Sequence, residues 1–76
     1  MENYQKLADA IVLQVVKDYR RYLRKLMKHP GNEDAIREIK GIDRFFRSAW
    51  YRELTKIDGE YLIKQLRAEY PDAKIP

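Results

Sequence analysis

Apolar side chains recur at steps of three and four from Tyr4 onward. Tyr4, Ala8, Ile11, Val12, Val15, Val16, Tyr19, Tyr22, Leu23, Leu26 and Met27 share one broad face at 100° per residue. Lys17, Arg20, Arg21, Arg24, Lys25 and Lys28 fall opposite. This predicts an amphipathic helix over 4–28, roughly 38 Å long at 1.5 Å per residue, with Asn3 placed to cap it. The β-branched cluster Ile11, Val12, Val15 and Val16 is locally strand-like. It lies inside a long helical period without turn signals, and the period outweighs it.

The run "HPGN" (29–32) stops that helix. Pro30 pushes His29 out of the helical region, Gly31 supplies a free backbone, and Asn32 can cap the next helix. So short a connection makes the neighbours antiparallel. Glu33 and Asp34 then occupy a first turn, where the helix dipole favours acids. Ala35, Ile36, Ile39, Ile42, Phe46, Ala49 and Trp50 form the apolar row of a second helix over 33–50. Gly41 within it costs about 1 kcal/mol relative to Ala, which a close approach by another backbone or a bulky side chain would justify. Ser48 can interrupt this helix and cap a short segment, "AWYREL". A third helix is expected over 58–70, capped by Asp58, with Leu62, Ile63, Leu66 and Tyr70 as its buried row and Pro71 as its end. The tail "DAKIP" is expected to be loose. The fold class is all-α: one domain over 1–76, with a long N-terminal helix in an antiparallel hairpin with the second and a shorter third closing the core.

Size limits this fold. A single core in 76 residues rarely supplies more than roughly 3–5 kcal/mol, and with no Cys no disulfide can add to it. Helix packing or self-association must do so. The face of the first helix is wider than one partner helix covers, so a homodimer or higher oligomer is a natural assembly. "MENYQKLADA" has acids where a secretory signal has cations, and "AIVLQVV" is far shorter than the ~20 apolar residues that span a bilayer. No membrane partner is expected, and a cytoplasmic location is.

Charge sharpens the picture. The net charge is +4, and residues 17–29 carry +5 because Asp18 is the only acid among six cations. Residues 1–16 sum to −1, and the remainder balances. A localised excess speaks to partners rather than to fold. Arg37, Lys40, Arg44 and Arg47 repeat at steps of three, four and three as a second basic stripe.

Catalytic chemistry finds no footing. His29 is the single histidine and sits in a turn without a partner in the sequence. Glu33 with Asp34, and Glu53, lack the spacing of paired catalytic carboxylates or of a metal motif. Asp58-Gly59-Glu60 resembles part of a calcium loop but lacks the other oxygen ligands, and helix capping accounts for it. No catalytic residue, metal ligand or cofactor is assigned.

The candidate ligand-binding residues are Lys17, Arg20, Arg21, Arg24, Lys28, Arg37, Lys40, Arg44 and Arg47. Arginine's planar fork matches phosphate oxygens two at a time. Phe45 and Tyr51 join them as aromatics less obviously in the core, free to stack on a base or line a partner pocket. Phe46 and Trp50 are assigned to the core. The competing explanation is a solvated face: cations favour a helix C-terminus, and the hairpin would bring Glu33, Asp34 and Glu38 near them.

The stretch from Asp43 to Leu66, "DRFFRSAWYRELTKIDGEYLIKQL", resembles short all-helical proteins encoded by phages and mobile elements of Gram-positive bacteria. Phe45-Phe46-Arg47-Ser48, Trp50, Leu54-Thr55, Asp58-Gly59-Glu60 and Leu62-Ile63 carry the likeness, with "VVKDYR" and "HPGN" extending it over nearly the whole chain. Ala49 stands where that pattern has an acid, which weakens the cap at Ser48. The resemblance implies origin and small-helical character rather than a mechanism. The expected function is a non-enzymatic basic binding protein of a mobile element, with nucleic acid or a nucleotide as partner. The alternatives are an inhibitor of a host defence system, binding a host protein or a signalling nucleotide, and a purely structural self-assembling protein.

Overall fold

A computed structural model of the chain describes residues 2–76, with the side chains of Glu2 and Asn3 outside the described part. It contains α1 (Glu2–Lys28), α2 (Glu33–Phe46), α3 (Ala49–Leu54) and α4 (Gly59–Ala68). No strand occurs among the described residues. The helix already runs from Glu2, so Asn3 lies inside α1, and the capping role assigned to its side chain falls outside the described part.

The turns work as local chemistry dictates. His29 N–H still donates to Lys25 O (2.9 Å), and Asn32 N–H reaches back to His29 O (3.0 Å). Between them Gly31 takes a φ of +84°, open to glycine at little cost. The Asn32 side-chain oxygen accepts from Ala35 N–H (3.2 Å) and starts α2, which returns along α1. Asp58 caps α4 by accepting from Glu60 N–H (3.0 Å).

α2 ends at Phe46 instead of continuing to Trp50. The Ser48 hydroxyl donates to Phe45 O (2.7 Å) and accepts from Tyr51 N–H (3.1 Å), closing one helix and opening the next. It does so although Ala49 offers no acid to the first turn of α3. The break resets the helical phase. Tyr51 and Leu54, three apart, turn inward, whereas Trp50 is 58% exposed. The assignment of Trp50 to the core is therefore corrected, and Tyr51 fills that place.

The core joins Tyr19, Leu23 and Leu26 of α1 to Ala35, Ile39 and Phe46 of α2, Tyr51 of α3, and Ile63 and Leu66 of α4. Tyr51 meets Phe45 and Phe46 edge-on, at ring-centroid distances of 5.6 and 5.4 Å. Gly59 permits the junction of α2 with α4: a Cβ there would lie 2.0 Å from Phe46 O. Gly41 has no such reason, since an added Cβ would meet only Arg44 Nη2 at 3.7 Å. The close approach expected there is absent. The tail is not loose either: Ala73 and Ile75 pack against the core, and Ala73 N–H donates to Tyr70 O (3.0 Å).

Shape follows from α1. Its 27 residues set the long axis of a body measuring 43 × 19 × 17 Å, and its first turns run where fewer elements lie beside them. Tyr4 and Leu7 are exposed there, and so is Met27 at the other end, which corrects the apolar face for Tyr4 and Met27.

Candidate functional site

Lys17, Arg21, Arg24 and Lys28 are spaced four, three and four residues apart. On an α-helix that keeps them within about 60° of arc over a rise of about 16 Å. Tyr19, Leu23 and Leu26, all 0% exposed, occupy the opposite side. α2 repeats the arrangement: Ala35, Ile39, Asp43 and Phe46 are buried, and Arg37, Lys40, Arg44 and Arg47 are exposed. The buried sides of α1 and α2 face each other, so the two basic rows point to different sides of the molecule. They share no concave surface.

Ion pairing divides the nine cations further. Arg20 makes a two-pronged pair with Glu69 at the end of α4, Nε to Oε1 at 2.9 Å and Nη2 to Oε2 at 3.0 Å. That bonding draws the Glu69 carboxyl below its usual range and the Arg20 guanidinium above its own. Arg47 is paired with Glu60, with the same two directions of shift. Arg37 is held by Asp34 in its own helix at 3.0 Å, and Arg21 lies 3.6 Å from Asp18. The competing explanation is corrected in its partners: Glu33, Asp34 and Glu38 make no ion pair with α1 among the described residues, Glu69 pairs with Arg20 and Asp18 with Arg21, and Asp34 serves Arg37 of α2.

Lys17, Arg24, Lys25 and Lys28 have no carboxylate oxygen within 4.0 Å among the described residues, and neither do Lys40 and Arg44. Arg24 is nonetheless held, because its Nη1 donates to the Tyr70 hydroxyl at 3.0 Å. A phenol orients the guanidinium and leaves its charge uncancelled. Lys25 and Arg21 lie over the ring of Tyr22, at 5.5 and 5.1 Å from its centroid.

The aromatic part of the expected site does not assemble. Tyr51 is 1% exposed and cannot stack on a ligand. Burial pushes its hydroxyl up, and that hydroxyl has no hydrogen-bond partner among the described residues. Phe45 is half-buried, edge-on to Trp50 at 5.5 Å and to Tyr51. Trp50 is the aromatic of this group most open to solvent.

A polar cluster of the interior was not anticipated. Asp43, 4% exposed, accepts from Tyr19 Oη–H at 2.8 Å and from Arg67 Nη2 at 2.6 Å, and Arg67 Nε donates to Tyr19 Oη at 3.0 Å. Three helices meet in this triangle. Burial, followed by Asp43's own acceptor bond and charge, pushes the Tyr19 hydroxyl up to about 12, against the lowering effect of Arg67. The signal lay in the row Ala35, Ile39, Asp43, Phe46, at steps of four, four and three: an acid inside a buried row demands a partner.

Among the described residues no group of three or more His, Asp or Glu side chains is arranged to hold a metal ion, and no helix is long and apolar enough to cross a membrane. A comparison with protein families, curated proteins and solved structures finds no match.

Proposed function

We propose that this chain is a non-enzymatic binding protein that contacts nucleic acid or another phosphate-rich ligand through the outward face of α1. One observation carries this reading: Lys17, Arg24, Lys25 and Lys28 present four charges within three turns, unanswered by any carboxylate within 4.0 Å among the described residues. Cations that merely solvate a face gain from local acids. The acids that pair with α1, Glu69 and Asp18, meet Arg20 and Arg21 instead.

Fluorescence anisotropy of labelled nucleic acid, titrated at rising salt, tests the reading. Binding at low salt should weaken steeply as counterions compete for the phosphates. No binding at low salt, or affinity indifferent to salt, would remove it.

A second reading, inhibition of a host factor by direct binding, draws on a separate feature. Tyr4 and Leu7, one turn apart on α1, and Trp50 on α3 are 63, 60 and 58% exposed, apolar groups that a protein partner would cover. Under it, Leu7→Gln with Trp50→Ala abolishes activity, and neutralising the α1 cations does not.

A further inference from the structure

We infer that the phosphate-rich partner is duplex DNA, met in its major groove by the 17–28 segment of α1 alone and without sequence preference. This rests on the reading just proposed and adds the form of the ligand, the surface and the mode of contact.

Three observations converge. The first is shape. The cations lie on the outward, convex side of a continuous helix, and α2 contributes nothing to that side. A convex rod of ~10–12 Å fits the B-form major groove, about 12 Å wide, whereas the A-form major groove of duplex RNA is too narrow to admit it. On the helix, Arg24 falls to one side of the Lys17–Lys28 line and Arg21 and Lys25 to the other. The cations can therefore address the phosphates of both groove walls.

The second is the absence of a stacking platform among the cations. Proteins that hold single strands set aromatic rings beside a basic track. Here Tyr22 lies half-buried beneath Arg21 and Lys25, and Tyr70 is half-buried and engaged with Arg24. Tyr51 is buried, and Trp50 belongs to another helix. Stacking is not what this face offers.

The third concerns base reading. Between Lys17 and Lys28 there is no Asn or Gln, the side chains that pair with adenine, and Gln14, one turn earlier, donates to Asp18 at 3.1 Å. The arginines that could read guanine are held at Glu69 (Arg20), Asp18 (Arg21) and Tyr70 (Arg24), so the face offers charge to phosphates rather than free forks to bases. Tyr70 is the positioning residue: it fixes the Arg24 fork toward the groove wall while adding no charge of its own.

Anisotropy with a fluorescent DNA duplex, its separated strands, a duplex of unrelated sequence and the matching RNA duplex tests this. The two DNA duplexes should bind equally, with micromolar dissociation constants, and more tightly than single strands or duplex RNA. Four phosphate contacts give a slope of log affinity on log salt near −3.6. Lys17→Ala with Lys28→Ala should lower that slope by about 2, and Lys40→Ala with Arg44→Ala should leave it unchanged. Tyr70→Phe should weaken binding several-fold at an unchanged slope, a pattern that loss of charge does not produce. Circular dichroism checks that each variant is folded. Preference for single strands or duplex RNA, a strong sequence preference, or an equal response to the α2 substitutions would overturn this inference and leave the broader proposal standing. Failure of every nucleic acid to bind at low salt would overturn both.

Discussion

The two halves of α1 have the same helical period but opposite surroundings. From Tyr19 to Leu26 the inner face is 0% exposed at three positions, covered by α2, α4 and the C-terminal tail, and the outer face is cationic. From Tyr4 to Leu13 only Ala8 is deeply buried, and Tyr4, Leu7 and Leu13 stand open to solvent. Trp50, Ile57 and Tyr61 are exposed as well, at and beyond the break at Ser48. An amphipathic pattern thus states what a helix can bury. The length and return path of its partners decide what it does bury. In this chain the consequence is a division of labour, with stability and uncompensated charge at one end and unclaimed apolar surface at the other.

Stability should be concentrated at the cationic end. Asp43→Ala leaves the Arg67 guanidinium and the Tyr19 hydroxyl without their shared acceptor. Removal of one partner of a buried pair commonly costs about 3–5 kcal/mol, and the partial exposure of Arg67 puts this case near the lower bound. Urea denaturation followed by circular dichroism would read it. A cost under about 1 kcal/mol would mean that the three-helix triangle does not hold this half together.

A smaller effect is expected in alkali. The Tyr19 hydroxyl ionises near 12 in the folded chain, against about 10 when unfolded. Its folded-state value is raised, so the stability it contributes is complete below pH 10 and is lost as pH climbs through 12. The total is about 2–3 kcal/mol. Denaturation midpoints across that window, compared with those of Tyr19→Phe, isolate the contribution, because other groups titrate alike in both proteins. Equal slopes would place the phenol in a wetter setting than the triangle provides.

The smallest effect belongs to the open half. Leu7→Gln removes an apolar side chain from water rather than from a core and should change stability by less than about 0.5 kcal/mol. A loss of several times that value, growing with protein concentration, would reveal that this face is covered by another copy.

Much of the fold was legible because its signals are local. Asn32, Ser48 and Asp58 cap from positions two or three residues away from the amides they satisfy, and "HPGN" turns the chain within four residues. Hydrophobic spacing placed Tyr19, Leu23, Leu26, Ile39, Phe46, Ile63 and Leu66 on inward faces, all of them buried. The long-range pairs were not legible because of their distance along the chain. Arg20 and Glu69 are 49 residues apart and Tyr19 and Arg67 are 48 apart, so no periodicity links them. The exchange of Trp50 for Tyr51 came from a phase shift at Ser48, where a one-residue change in where a helix restarts rotates each later side chain by 100°.

The sequence by itself determined which segments are helical, the turn at 29–32 and the caps at Asn32, Ser48 and Asp58, and that positive charge gathers between Lys17 and Lys28. Tertiary structure alone decided that Arg20 keeps an acid from α4 beside it, that the two basic rows diverge, and that the tail closes over the core. Capping and periodicity act within a turn or two of helix. The pairing of charges depends on which distant residues the packed chain brings within a few ångströms.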